Sequence, residues 1–337
     1  MADEIRKLAA QYFQLVDLQH LALPPGDVLV RPDVQAAIYE RMFNETRVFP
    51  IPPANYRSRV LKLILSQIEE SITDPEEDVC TPLSIHFLFS FMLLYLPLTS
   101  CTITFSLQCK KKKKTLCYIE VHFSNKLQEI NDDLMECWTE LVAQPKQSAV
   151  EQAQQISFIK YTAPETEAGS NDQSQCRPAN TERSVITSES RGLILSAGTT
   201  GFRTWEAALH LGSFLSSKAG EAIVRNKRVI ELGAGTGFLS LVCARYLGVH
   251  SVVVTDREPA LIDNMRECIP HNRNAGKSIP IYPAVWEWGT PLERKGDLAE
   301  LDSGDDESKG IKFDVALGAD LVGRSSLFFD QVVYTNV

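Results

Sequence analysis

Residues 229–241 read Val-Ile-Glu-Leu-Gly-Ala-Gly-Thr-Gly-Phe-Leu-Ser-Leu, and no other stretch constrains the fold as tightly. A short apolar run ending in closely spaced glycines and then a second apolar stretch predicts a strand, a tight turn and a helix. That unit opens a nucleotide-binding crossover in open α/β sheets. Gly233, Gly235 and Gly237 remove side chains where the backbone must turn and approach a ligand, and Ala234 adds only a methyl between them. Glu231 sets a carboxylate just before the turn. The register excludes the dinucleotide fingerprint, which needs glycines at 233, 235 and 238, because position 238 is Phe and the third glycine falls at 237.

The rest of the chain bounds the setting. At 337 residues it is long enough for two domains, with an ordinary 44% hydrophobic content. A net charge of -9 argues against a protein that grips nucleic acid through its overall field. Eight cysteines contain no Cys-x-x-Cys pair and no zinc-type spacing with His, so they read as reduced thiols of a cytoplasmic protein, and no metal site is expected. The first residues, Met-Ala-Asp-Glu-Ile-Arg-Lys, are not those of a signal peptide.

Residues 1–150 read as a helical N-terminal region. Leu8, Tyr12, Leu15 and Val16, and later Val60, Leu61, Ile64, Leu65 and Ile68, recur at helical spacing, with prolines at 24–25, 50 and 52–53 between them. Ile130, Leu134, Trp138 and Leu141 resume the pattern. Between these lies a stretch, 81–109, without any Lys, Arg, Asp or Glu, followed at once by five lysines at 110–114. A membrane span with a basic flank is one reading. Pro97 and the polar run 99–102 interrupt it, so the favoured reading is an insertion over 81–123, and membrane association is not expected. Residues 164–183 are polar and read as a linker or hairpin loop, and a catalytic domain spans 155–337.

Within that domain, residues 251–256 form a second strand ending in Asp256, placed to accept hydrogen bonds from both hydroxyls of a ribose. Asp256 equally suits a helix cap ahead of 258–268; the order strand, glycine turn, helix, strand, acid favours the ribose. A third strand over 279–286 leads to Trp286 and Trp288, flat faces either for stacking an adenine or for filling a core, with Trp286 favoured for the cofactor. A fourth strand over 313–320 ends in Ala319, small enough to let a cofactor lie close, and Asp320, which would face the cleft at the carboxyl edge of the sheet.

Acidic-x-Gly-x-Gly-x-Gly is the pattern of S-adenosylmethionine in class I methyltransferases. Together with Gly-Thr-Thr-Gly-Phe-Arg-Thr-Trp-Glu-Ala-Ala at 198–208, the chain resembles the seven-strand protein-lysine methyltransferases of the methyltransferase 16 group over 184–322. Within that group it is similar to enzymes that modify translation elongation factor 2. The resemblance implies a Rossmann-like α/β domain, S-adenosyl-L-methionine as cofactor and a protein-lysine N-methyltransferase activity. It also implies elongation factor 2 as substrate; separately, a monomer that does not engage nucleic acid directly is expected. Trp205, Gly233, Ala234, Gly235, Trp286 and Ala319 correspond to its cofactor-contacting positions, beside Glu231, Gly237 and Asp256 from the motif itself, and Asp320 is the catalytic candidate.

Two departures qualify the match. Relatives carry an aromatic residue three places after the acid of strand four, where this chain has Gly323, and they continue for three more strands after strand four, including an antiparallel pair that closes the sheet, whereas this chain stops at Val337. The domain is therefore expected to be incomplete at its C-terminus. Two other functions stay open on the sequence: a methyltransferase of small molecules or nucleic acid, and an inactive cofactor-binding remnant.

Overall fold

Proline and helical spacing together cut the N-terminal region into short helices. The computed structural model describes residues 2–72, 130–145, 147–163, 182–192, 198–273, 280–301, 311–321 and 331–335. Helix α1 (Ala2–Phe13) is followed by α2 (Gly26–Leu29), α3 (Pro32–Ile38), a π-helical turn (Tyr39–Phe43) and α4 (Ala54–Ser71). Pro25 and Pro53 stand immediately before α2 and α4, and Pro32 opens α3, where a missing N–H costs nothing. Helix α5 (Asp132–Ala143) is capped by the Asn131 side chain, which accepts from Leu134 N at 3.1 Å, and α6 (Ala149–Gln154) by a reciprocal box between Ser148 and Glu151.

One core joins α1 to α5: Leu8, Tyr12, Leu29, Ile38, Leu61, Ile64 and Leu134 are buried together. Ile72 and Ile130, on either side of residues 73–129, both belong to this cluster, Ile130 buried and Ile72 packed against it. Gln35 Oε1 accepts from Asn131 N at 2.7 Å and ties the start of α5 to α3. Leu134→Ala should therefore destabilise the region by about 2–5 kcal/mol, the cost of emptying a fully buried leucine site. Urea unfolding would check it; a loss under about 1 kcal/mol would mean that α5 is not part of this core.

The second half is built on strands. An antiparallel hairpin, β1 (Ile156–Thr162) with β2 (Ser184–Ser190), pairs from Ile156↔Ser190 to Thr162↔Ser184. It brackets the polar stretch read as a linker or hairpin loop, of which 164–181 lies outside the described residues. Then come α7 (Glu206–Leu215), α8 (Lys218–Val224), β3 (Arg228–Glu231), α9 (Phe238–Tyr246), β4 (Ser251–Asp256), α10 (Pro259–His271), β5 (Ile281–Val285), β6 (Val315–Ala319) and β7 (Gln331–Thr335). The sheet order is β5-β4-β3-β6-β7, with β3 to β6 mutually parallel and β7 antiparallel to β6. The first four strands are those read from the sequence; β7 was not anticipated there.

Strand alternation divides the sheet's two faces. Val229, Val252, Val254, Val315 and Leu317 face a core shared with α7, α9 and the hairpin residues Ile159, Tyr161 and Val185. Ile230, Val253 and Ala316 face the opposite core with Leu298 and Leu301. The buried Asn272 carboxamide, just beyond α10, clasps β2, its Oδ1 accepting from Ile186 N at 2.9 Å and its Nδ2 donating to Ile186 O at 2.7 Å.

No helix among the described residues is long and apolar enough to cross a membrane. The apolar stretch 81–109, the lysines 110–114, the insertion expected over 81–123 and Gly323 lie outside the described residues. Cys137, Cys243 and Cys268 are free thiols.

Candidate active site

Because β5, β4, β3 and β6 run parallel, their carboxyl ends emerge at one edge, and each carries a residue singled out in the sequence. The glycine turn follows β3. Gly233, Gly235 and Gly237 all take positive φ, at 57°, 54° and 72°. At Gly235 the requirement is doubled: besides the left-handed backbone, a β-carbon would sit 2.9 Å from the carbonyl oxygen of Gly201. The 198–204 loop thus lies directly on the turn. A β-carbon at Gly233 would meet Leu321 Cδ2 at 2.8 Å and Trp288 Cζ2 at 3.8 Å, so those two side chains border that part of the turn. Gly237 is the N-cap of α9, whose free N–H groups open toward the turn.

Asp256, at the end of β4, uses both carboxylate oxygens on backbone: Oδ2 accepts from Gly235 N at 3.1 Å and Oδ1 from Glu258 N at 3.1 Å. It pins the turn and forms an Asx turn, while the cap of α10 itself is Glu258. Each oxygen retains a second lone pair for a ligand hydroxyl.

Glu231 lies one layer deeper. Strand alternation turns it into the core shared with α9, where it is buried and its Oε2 accepts from Ser240 N at 2.9 Å and contacts Ser240 Oγ. Its structural partner is therefore the first turn of α9. Burial pushes its carboxyl up from 4.5 to about 7, against the opposing pull of the Ser240 hydrogen bonds. A raised carboxyl binds a proton in the folded protein that the unfolded chain has already released. Its stabilisation is complete below pH 4.5 and is lost as pH rises through 7. Wild type relative to Glu231→Gln should lose about 3 kcal/mol between those limits, measurable as the pH dependence of the denaturant midpoint. A flat difference would place the carboxyl's affinity for protons at its ordinary value.

The two tryptophans after β5 separate clearly. Trp286 packs partly into the lower core and donates Nε1 to Thr290 O at 2.9 Å. Its backbone N donates to Asp256 O at 2.9 Å, so it follows directly on the acid. Trp288 is 53% exposed and is the indole that stands beside Gly233. The sequence pattern alone gave no reason to rank it first, since both lie just past the strand.

Trp205 occupies the N-cap position of α7, half-buried, with Nε1 donating to Thr200 O at 3.2 Å and the Arg203 guanidinium 5.1 Å from its ring centre. Residues 193–197, just before the 198–208 segment, lie outside the described residues. At the end of β6, Ala319 is half-buried and Asp320 is exposed, with φ of 57°. A non-glycine residue held in the left-handed region at a strand end is the kind of stored strain found at functional sites. Leu232 N donates to Leu317 O at 2.9 Å, so the glycine turn and Asp320 leave neighbouring strands side by side.

A doubly wound sheet with a three-glycine turn, an acid closing the second strand and an acid beyond the fourth defines a class I methyltransferase domain preceded by a helical region. Residues 195–328 match the family model described as lysine methyltransferase. The chain is 35% identical over 312 residues to protein-lysine N-methyltransferase EFM3 of Chaetomium thermophilum, covering 92% of this chain and 71% of that protein. It is 37% identical over 127 residues to protein N-lysine methyltransferase METTL21A of Danio rerio, covering 37% of this chain and 49% of the relative. Against protein-lysine N-methyltransferase EFM3 of Saccharomyces cerevisiae it is 40% identical over 86 residues, 25% of that protein's length. The chain belongs to the lysine methyltransferase family.

Proposed function

We propose that this chain transfers a methyl group from S-adenosyl-L-methionine to a lysine side chain of a protein, with elongation factor 2 as the substrate, acting as a cytoplasmic monomer. The observation that carries the reading is the convergence of the glycine turn, Asp256, Trp288 and Asp320 at one sheet edge, in a chain of the lysine methyltransferase family. The residues fit such a cofactor. Gly233 brings backbone without a side chain of its own to the site, Asp256 has lone pairs to spare for ribose hydroxyls, and Trp288 presents an exposed indole beside the turn for the base.

When bound, the cofactor supplies a sulfonium methyl that is open to displacement by a neutral amine. The protein's own contribution is positional: a nucleophile and an electrophile held in line gain most of their advantage from not having to find each other. Asp320, exposed at the rim, is placed to attract and orient a lysine ammonium, and the proton leaves to solvent before attack. Resemblance to enzymes acting on elongation factor 2 supports the choice of substrate, and the net charge of -9 suits a basic target side chain better than a nucleic acid.

Incubation of a translation extract with methyl-labelled cofactor, with and without this protein, tests the reading. A protein-dependent labelled band at the size of elongation factor 2, carrying methyl-lysine on hydrolysis, is the expected result. Label confined to RNA or to small molecules would overturn it.

A further inference from the structure

The loop that lies on the glycine turn is itself held from behind by a buried carboxylate. Strand β2 alternates Val185, Thr187 and Glu189 on its core-facing side, so Glu189 enters the protein's interior on the same face as two small or apolar neighbours. Its Oε1 accepts from Tyr161 Oη at 2.8 Å, Thr187 Oγ1 at 2.7 Å and Thr204 Oγ1 at 2.7 Å, and its Oε2 accepts from Arg191 Nε at 3.3 Å. Thr204 Oγ1 is also 2.7 Å from Thr236 Oγ1, inside the glycine turn.

The proton count fixes the direction of this chain. A carboxylate only accepts, so the single hydrogen of Thr204 goes to Glu189, and the Thr236 hydroxyl must donate to Thr204. Tyr161 gives its hydrogen to Glu189 and accepts from Arg191 Nη2 at 2.7 Å. Every hydroxyl is thus oriented toward one buried anion, in surroundings where such bonds polarise one another.

At its other end the chain reaches the helical region. Helix α1 closes with Leu15 in the left-handed conformation and Val16 N donating to Gln11 O, a termination that turns the Gln14 and Leu15 carbonyls outward. Arg191 Nη1 donates to Gln14 O at 2.6 Å, at the negative end of the helix. One guanidinium therefore joins the end of α1 to the Glu189 carboxylate, and one threonine pair joins that carboxylate to the turn.

We propose that Arg191, Glu189, Thr204 and Thr236 form a positioning relay through which the docked helical region holds the glycine turn in its cofactor-binding conformation. The proposal rests on the reading above that the turn binds the methyl donor. Glu189 is its hub: it touches neither the turn nor α1, yet it orients both connections. The hydrogen-bonded path from Arg191 to Thr236 runs through Glu189 and Thr204.

A double-mutant cycle on cofactor affinity, measured by calorimetry with S-adenosylhomocysteine as the probe, tests this directly. Arg191→Met and Thr236→Val each remove one end while keeping side-chain bulk. Each should weaken binding about fivefold, and the double variant should be about as weak as either alone, since residues in one network are non-additive. Thr204→Val should reproduce the loss, and Thr204→Ser, which keeps the hydroxyl, should restore affinity to within about twofold of wild type. A double variant weaker by the product of the two single effects would overturn the relay. So would single variants that bind like wild type.

Amide hydrogen exchange of the cofactor-free protein separates this from the functional reading. Arg191→Met should raise exchange at Thr236 and Gly237 while the sheet strands keep their protection. If wild type binds no probe but this exchange response is present, the relay stands and the cofactor assignment fails. If wild type binds and the response is absent, the relay fails alone.

Discussion

Asp256→Ala is expected to weaken cofactor binding by about 100-fold, because the carboxylate serves two functions at once and hydrogen bonds to a charged group contribute about 1.5–3 kcal/mol each. It would offer acceptors to the ribose, and it already restrains Gly235 N and Glu258 N. Removing it releases the turn that the ligand must meet in a single conformation, so part of the loss is paid in ordering that turn at the moment of binding. Asp256→Asn distinguishes the two functions. Its amide oxygen can keep one backbone bond, but its NH2 group cannot accept from Gly235 N or from a second hydroxyl. An intermediate loss of about tenfold is expected. Calorimetric titration of each variant gives the answer, and an alanine variant that binds within about threefold of wild type would remove Asp256 from the ribose site.

The turn, the acid and the order of strands were legible in the sequence because each is a local device. A glycine at a positive φ, an apolar run of strand length and an acid at its end leave their mark within a few residues. The four parallel strands appear where the pattern put them, whereas the packing of the 198–208 segment against the turn, through Gly201 and Gly235, is visible only in the fold. What the sequence could not convey is contact between distant residues. Trp286 and Trp288 are interchangeable as letters; only the fold shows that the first turns into the lower core and the second stands beside Gly233. Glu189 escaped notice for the same reason, although a signal was available: an acid in register with Val185 and Thr187 on the buried face of a strand must have partners. Its partners come from the hairpin, from Arg191 just beyond it and from the 198–204 loop, which no spacing rule connects. Glu231 was legible as an acid before the turn but not as a group turned inward to the first turn of α9.

Asp320 carries the prediction that separates chemistry from binding. Asp320→Ala should lower methyl transfer by about 100-fold or more while cofactor affinity stays within about threefold, because an interaction made with the incoming amine acts on turnover rather than on cofactor capture. Alanine alone is an ambiguous probe. Asp320 sits at φ of 57°, a conformation that aspartate tolerates and alanine resists, so the variant also strains the strand end. Asp320→Asn removes the charge yet suits the left-handed backbone, and Asp320→Gly removes the side chain while relieving the strain. If orientation of the ammonium is the function of this residue, all three variants lose turnover together, though the glycine variant should be more stable than the alanine variant by about 1 kcal/mol. If only the shape of the backbone matters, Asp320→Asn keeps its rate and Asp320→Gly recovers what Asp320→Ala loses. Single-turnover rates with saturating cofactor, beside thermal midpoints for the three proteins, distinguish these outcomes. Full turnover by Asp320→Asn would end the case for the charge, and with it the assignment of Asp320 as the residue that orients the substrate lysine.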